Sequence, residues 1–261
     1  MPTFLVQLPV ADLHKEPEPS SETVSQAIIG DEIALLSHLN DWSFVQMKDG
    51  YTGWMRKDAY MEVMQKPQFQ HRVASLFACL YQTPSISQHP PIMTLPFYAP
   101  VQLTGKNSGN WEEIKVASHT LAWINKYDIQ KVRQLSYREM LELSRRFVGL
   151  PYRWGGTTSF GLDCSGFVQL LFKQIGVLLP RDSYQQADSP LLQAVEINSR
   201  QAGDLLFYGR NKRITHVGLY LDHDTLIHAK ASLTIGAPAV HMNSIVNPPW
   251  VEECICARRL R

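Results

Sequence analysis

Apolar and polar positions alternate over short stretches through the first half of the chain. Turn residues such as Asp49-Gly50 and Ser108-Gly109 separate the stretches. A period of two marks strands that bury one face, and frequent turns arrange such strands as small antiparallel barrels. The pattern also repeats. Val10-Ala11-Asp12-Leu13 is matched with Val73-Ala74-Ser75-Leu76, and a proline follows each, at Pro19 and Pro84. Further on, Ile33-Ala34-Leu35 matches Val101-Gln102-Leu103, Trp42 matches Trp111, and Trp54-Met55 matches Trp123-Ile124. Two copies of about sixty residues result, a size at which small domains fold. The expected boundaries are 1–66 and 67–133, with the tryptophans in the barrel cores.

The period changes at Gln134. Ser136-Tyr137-Arg138-Glu139 has the spacing of a capping box. Tyr137, Met140, Leu141, Ser144, Phe147 and Val148 then recur at helical intervals, until Gly149 and Pro151 end the run. A third domain is expected over 134–261. A glycine-rich approach leads to Asp163-Cys164-Ser165-Gly166. Beyond it Val168, Leu170, Leu171, Phe172 and Ile175 make a helix apolar on most faces, which predicts burial and a stop at Gly176. Ala202–Tyr208, Ile214–Leu221 and Thr225–Ala229 read as strands, the last two joined as a hairpin by the turn Asp222-His223-Asp224. The tail from Ala237 to Arg261, with Pro248-Pro249-Trp250, reads as a closing strand and loop without chemistry. The fold class is α+β, preceded by two small all-β barrels.

Composition narrows the partners. Apolar residues are 44% and charged residues 19%, as in a chain with a packed core. A formal net charge of +1 gives no broad attraction to nucleic acid or anionic membrane, so a local pocket should select the substrate. No run of about eighteen apolar residues is present, so no span is expected. The start, Met1-Pro2-Thr3-Phe4, lacks a basic run before an apolar core; the expectation is a cytoplasmic protein, with export as the alternative for a trimmed chain. Cys254 and Cys256 alternate on a strand and no CxxC pair occurs, so Cys79, Cys254 and Cys256 are expected as free thiols. No metal and no cofactor is expected. Nothing in the sequence fixes the oligomeric state; a monomer is the expectation.

Cys164 stands at the first turn of the buried helix. Partial positive charge and unpaired N–H groups there favour a thiolate, which predicts a lowered thiol pKa and an oxyanion site. With the three-residue turn at 222–224, residue 221 pairs with 225 and His228 faces Gly218. His216 then lies diagonally beside His228 on the same face, about 7–8 Å away between backbones. That suits a base, His216, and a group that orients it, His228. A structural cysteine and satisfied core histidines are the bland alternatives.

These residues resemble the NlpC family of cell-wall cysteine peptidases. The matching pieces are PYRWGG, GLDCSGFVQ, LPRDSYQQ, AGDLLFY, ITHVGLYL and LIHA, covering nearly all of 136–235. The first half resembles the bacterial SH3-like domain, with Gly50-Tyr51-Thr52-Gly53-Trp54 as its closing strand. The combination is similar to γ-D-glutamyl-L-diamino acid endopeptidases of murein recycling, of the dipeptidyl-peptidase VI type. The resemblance implies a papain-like core and murein-derived peptides as substrates, cut after γ-D-Glu when the N-terminal L-Ala is free. It implies Cys164, His216 and His228 as the triad and Tyr152 as a polarising hydroxyl. It implies Asp163, Ser165 and Ser183 around the substrate amine, and Glu22 and Tyr51 as a wall from the first barrel. Ser183 is equally open as an N-cap, and Asp163 as a capping carboxylate. An exported wall-remodelling endopeptidase, a wall-binding protein with a degenerate catalytic domain, and amidase or acyltransfer chemistry are the competing readings.

Overall fold

A computed structural model describes residues 3–117, 120–231, 237–246 and 253–261. Two compact units are present: Met1–Arg133 with Thr158–Phe160, and Gln134–Thr157 with Gly161–Arg261.

In the first unit, seven antiparallel strands run in the order Thr23–Ile28, Val10–His14, Thr52–Arg56, Trp42–Gln46, Glu32–Leu39, Thr3–Val6, Tyr60–Val63. Alternate side chains, among them Val6, Leu13, Val45 and Met55, fill the interior with 0% exposure. The second half repeats the plan. Leu39 pairs with Trp42 and Ser108 with Trp111, and both long strands are bulged just before, at Leu35/Ser37 and Leu103/Asn107. One end of the repeat needs correction. His14 pairs with Trp54, and its counterpart that bridges to Trp123 is Tyr81. The rings agree: His14 sits edge-on to Trp42 at 5.1 Å and Tyr81 edge-on to Trp111 at 5.4 Å. Val10–His14 therefore matches Phe77–Leu80 and Tyr81, four residues beyond Val73-Ala74-Ser75-Leu76. The tryptophans also differ from expectation, because only Trp42 is buried while Trp54, Trp111 and Trp123 are half-buried. Leu5, Ile29 and Val63 pack with Val73, Leu80, Val101 and Ile114 in one apolar cluster, so the two copies share a core.

The second unit begins with helix α1 (Tyr137–Ser144), capped by Ser136 and Glu139 in the reciprocal box that the sequence predicts. A 3-10 turn over Arg145–Phe147 tightens its end, and Gly149 follows at φ 87°. Helix α2 (Cys164–Gln174) buries Phe167, Leu171 and Phe172 completely. Each such side chain contributes about 1.5–3 kcal/mol of burial. Gly176, at φ 78°, supplies the left-handed residue that ends it. Helix α3 (Ser183–Ala187) is short.

Against the helices stands a six-stranded antiparallel sheet: β1 (Leu192–Val195), β2 (Leu205–Arg210), β3 (Arg213–Tyr220), β4 (Thr225–Lys230), β5 (Ala239–Ser244) and β6 (Cys254–Leu260), in the order β1-β6-β2-β3-β4-β5. Helices α2 and α3 pack on β3, and α2 also on β4. The tail thus provides two strands, β5 and β6, where one was expected; Pro248-Pro249-Trp250 lies outside the described residues. No helix among the described residues is long and apolar enough to cross a membrane.

Candidate active site

Glycines set the entry to α2. Asp163 N–H donates to the Gly156 carbonyl at 3.0 Å, and a Cβ on Gly166 would lie 2.1 Å from that same oxygen. Only a residue without a side chain allows so close a backbone approach. Asp163 is the N-cap, and its Oδ1 accepts from Gly166 N–H at 2.7 Å. Cys164 therefore begins the helix with its sulfur held at a fixed place, 9% exposed.

The environment of the sulfur departs from expectation. Burial first, and the Asp163 carboxylate second, push the Cys164 thiol up to about 12. The backbone N–H groups of Val217 and Ser165 and the Arg181 guanidinium act the other way without prevailing. The predicted lowering is thus reversed: desolvation disfavours a thiolate more than the helix terminus favours it. The Val217 N–H also locates the sulfur, since it belongs to the residue after His216.

The hairpin has the register expected. Leu219 pairs with Ile227 and Tyr220 with Leu226, which continues to Gly218 opposite His228. A Cβ on Gly218 would meet Leu226 at 2.7 Å, so the Leu226 side chain fills the space that this glycine leaves. His216 Nε2 and His228 Nδ1 are 2.7 Å apart. Burial, followed by repulsion from His228 and Lys230, holds His216 well below the usual imidazole range. Burial likewise lowers His228 to about 4, with the Asn243 hydrogen bond acting against it. Both rings are therefore neutral.

Asn243 was missed by the sequence reading, which took the tail to be without chemistry. It lies on β5, where its Oδ1 is 2.9 Å from His228 Nε2. Residues 231–238 separate β4 from β5, too many for a register to be counted across as in a tight hairpin.

Tyr152 is half-buried before α2. Burial, then the neighbouring Cys164 and Asp163, push its phenol upward, so it stays a hydrogen-bond donor. Asp163 is taken up by Arg181, which reaches Oδ1 at 3.1 Å and also binds Oδ2. The pair is buried, at 8% and 2% side-chain exposure. Arg181 also donates to Ser165 Oγ at 2.9 Å. Asp163 is thus a capping, guanidinium-paired carboxylate. Ser183 is the buried first residue of α3, and its N-cap is the half-buried Asp182. Gln186 of α3 donates to the Ser165 carbonyl at 3.1 Å, which brings α3 against the first turn of α2. Glu22 and Tyr51 belong to the first unit. Glu22 is exposed, with its carboxylate 3.8 Å from Lys15 Nζ, and the Tyr51 N–H donates to Asp49 at 3.0 Å.

Cys79, Cys164, Cys254 and Cys256 are free thiols. Among the described residues no group of three or more His, Cys, Asp or Glu side chains is arranged to hold a metal. What the site assembles is a helix-terminal thiol, a chain of two neutral imidazoles and an amide, and a phenol donor. Such a set can carry out acyl transfer through a thioester.

Residues 149–259 match the model of the NlpC/P60 family, and residues 13–59 match the bacterial dipeptidyl-peptidase SH3 domain. A γ-D-glutamyl-L-lysine dipeptidyl-peptidase of Bacillus cereus is 26% identical, over 90% of this chain and 74% of the relative. A "Probable endopeptidase" of Haemophilus influenzae is 36% identical, over 46% of this chain and 71% of the relative. The crystal structure of an NlpC/P60 family protein from Bacillus cereus superposes with a TM-score of 0.84 at 22% identity, over 99% of both chains.

Proposed function

The chain belongs to the NlpC/P60 family of cysteine peptidases, and from that membership we propose that it hydrolyses the γ-D-glutamyl–L-diamino acid bond of murein stem peptides. The N-terminal L-Ala of the peptide is free, and L-Ala-D-Glu is the product. The observation that carries the substrate class is the likeness to a γ-D-glutamyl-L-lysine dipeptidyl-peptidase across 90% of the chain, barrels included. The wall-remodelling alternative has less support, since the murein DD-endopeptidase of Escherichia coli that this chain resembles is matched over only 43% of the chain.

In this reading Cys164 is the nucleophile and His216 its base. The thiol gives its proton to the imidazole as the sulfur bonds to the γ-carbonyl carbon of D-Glu. The carbonyl electron pair moves to oxygen, where the Tyr152 phenol donates to it. The adduct collapses, the C–N bond breaks, and the leaving nitrogen takes the proton from His216. Water then cleaves the thioester by the same relay, returning the thiol and a γ-carboxylate.

Selectivity for a free amine requires a carboxylate near the first turns of α2 and α3. With Asp163 held by Arg181, we assign that part to Asp182, whose carboxylate caps α3 beside Ser183, with α3 against the first turn of α2. An ammonium forms charge-assisted hydrogen bonds to such a group. An N-acylated peptide brings no cation to offset the carboxylate's lost hydration, and binds more weakly.

Incubation with L-Ala-γ-D-Glu-L-Lys and with its diaminopimelate analogue, followed by mass spectrometry, tests the reaction. L-Ala-D-Glu should accumulate, and Cys164→Ala should abolish its release. Cys79→Ala, Cys254→Ala and Cys256→Ala should each keep turnover within about twofold. Release by Cys164→Ala would overturn the mechanism.

A further inference from the structure

His216, His228 and Asn243 form a diagonal across three neighbouring strands. His228 faces His241 and Leu226 faces Asn243, so Asn243 stands to His228 as His228 stands to His216. We propose that Asn243 is a positioning residue that fixes the tautomer of both histidines, so that His216 keeps an unprotonated Nδ1 for the thiol proton. The proposal rests on the reading of Cys164 and His216 as nucleophile and base.

The amide oxygen of Asn243 can only accept. His228 Nε2, 2.9 Å away, must therefore carry its hydrogen and donate it. A neutral imidazole has one N–H, so His228 Nδ1 is left as an acceptor. His216 Nε2 lies 2.7 Å from that acceptor and must be the donor. His216 is then bare at Nδ1. Turning the amide through 180° reverses every step: the NH2 group donates to His228, His228 donates to His216, and His216 carries its hydrogen on Nδ1. That ring could not accept a thiol proton. The direction of one amide, two imidazoles away, thus decides whether the base is competent.

The surroundings favour an amide over a carboxylate here. Lys230 on β4 faces both histidines, and His241 on β5 is the direct neighbour of His228. Tyr208 on β2 lies against His216, with ring centroids 6.1 Å apart, and Cys164 approaches from α2, where it takes a hydrogen bond from the Val217 N–H. Glu253 acts on Lys230 from β6's leading end. Burial keeps the imidazoles neutral, with Lys230 acting in the same direction, and a neutral acceptor orients them without drawing in a proton. A carboxylate would orient them equally well and would also stabilise imidazolium.

Nitrogen-15 spectra of the histidine rings in the full chain test this at pH 7.5. Wild type should show Nε2 protonated and Nδ1 unprotonated on both His216 and His228. Asn243→Leu should populate both tautomers and lower kcat on the free-amine tripeptide about ten- to a hundredfold, with KM within about twofold. Asn243→Asp should restore the wild-type tautomers and move the acid limb of kcat/KM upward by about one pH unit. A protonated Nδ1 on His216 in wild type would overturn the proposal, as would an Asn243→Leu protein with unchanged tautomers and kcat. If Asn243→Leu fails to fold, the wild-type spectrum and the Asn243→Asp profile still decide. Turnover surviving Cys164→Ala would instead remove the nucleophile assignment and leave the nitrogen spectra as they are.

Discussion

Cys164 keeps its proton at rest. Its thiol is pushed up to about 12 while His216 is held well below the ordinary imidazole range, so neither partner favours an ion pair in the unliganded protein. Proton transfer then accompanies attack, and a bound carbonyl that receives the negative charge makes it favourable. A helix-terminal cysteine is visible in the sequence; the burial that outweighs the helix terminus is not, because it comes from β3 and the loop before α2. The same burial gives a pH signature. His228 is neutral in the folded protein down to about pH 4, whereas an unfolded histidine protonates near 6.5. Between those values the unfolded chain binds the extra proton, so stability is full above pH 6.5 and falls as pH drops toward 4. The loss attributable to this residue is on the order of 3 kcal/mol. Urea unfolding of wild type and His228→Gln at pH 7 and pH 4.5 measures it. The wild-type free energy should fall more steeply than that of the variant; parallel slopes would contradict a neutral, buried His228.

At the level of elements, what could be read depended on sequence distance. The β3–β4 register follows from one short turn, and it places His216 beside His228 as counted. Asn243 lies beyond a longer connection, so the third member of the relay could only be seen in three dimensions. The repeat shows a related effect: Val73-Ala74-Ser75-Leu76 looks like Val10-Ala11-Asp12-Leu13, yet the strand that takes its place begins at Phe77. Side-chain similarity pointed to one segment and backbone pairing uses the next. Asp163 illustrates the limit for a single residue, because its bidentate partner Arg181 lies eighteen positions on. The close approach of α2 to the preceding loop is testable in the same terms. Gly166→Ala places a Cβ against the Gly156 carbonyl, backbone against backbone, with no flexible side chain to yield. It should destabilise by about 3 kcal/mol or more in urea unfolding and disorder the thiol's position. An unchanged midpoint would contradict the packing described.

For the molecule as a whole, two compact units coincide with the change of hydrophobic period at Gln134, except that Thr158–Phe160 group with the first. Within that unit Ser159 Oγ accepts from Phe97 N–H at 2.9 Å, and the rings of Phe77 and Phe160 stack at 5.7 Å. Three residues leaving one unit for the other carry no periodicity, and nothing in their types announces it. The NlpC/P60 membership and the likeness to a dipeptidyl-peptidase across both units give the proposed activity its breadth. Its distinguishing feature is selection of a free amine at the start of the stem peptide. The measurement that bears on it most directly compares cleavage of L-Ala-γ-D-Glu-diaminopimelate with cleavage of the same peptide N-acetylated on alanine, read by mass spectrometry. Release of L-Ala-D-Glu from the free-amine peptide, with the acetylated peptide left intact, is the expected result. Equal cleavage of the two would contradict the amine pocket and favour a wall-remodelling endopeptidase.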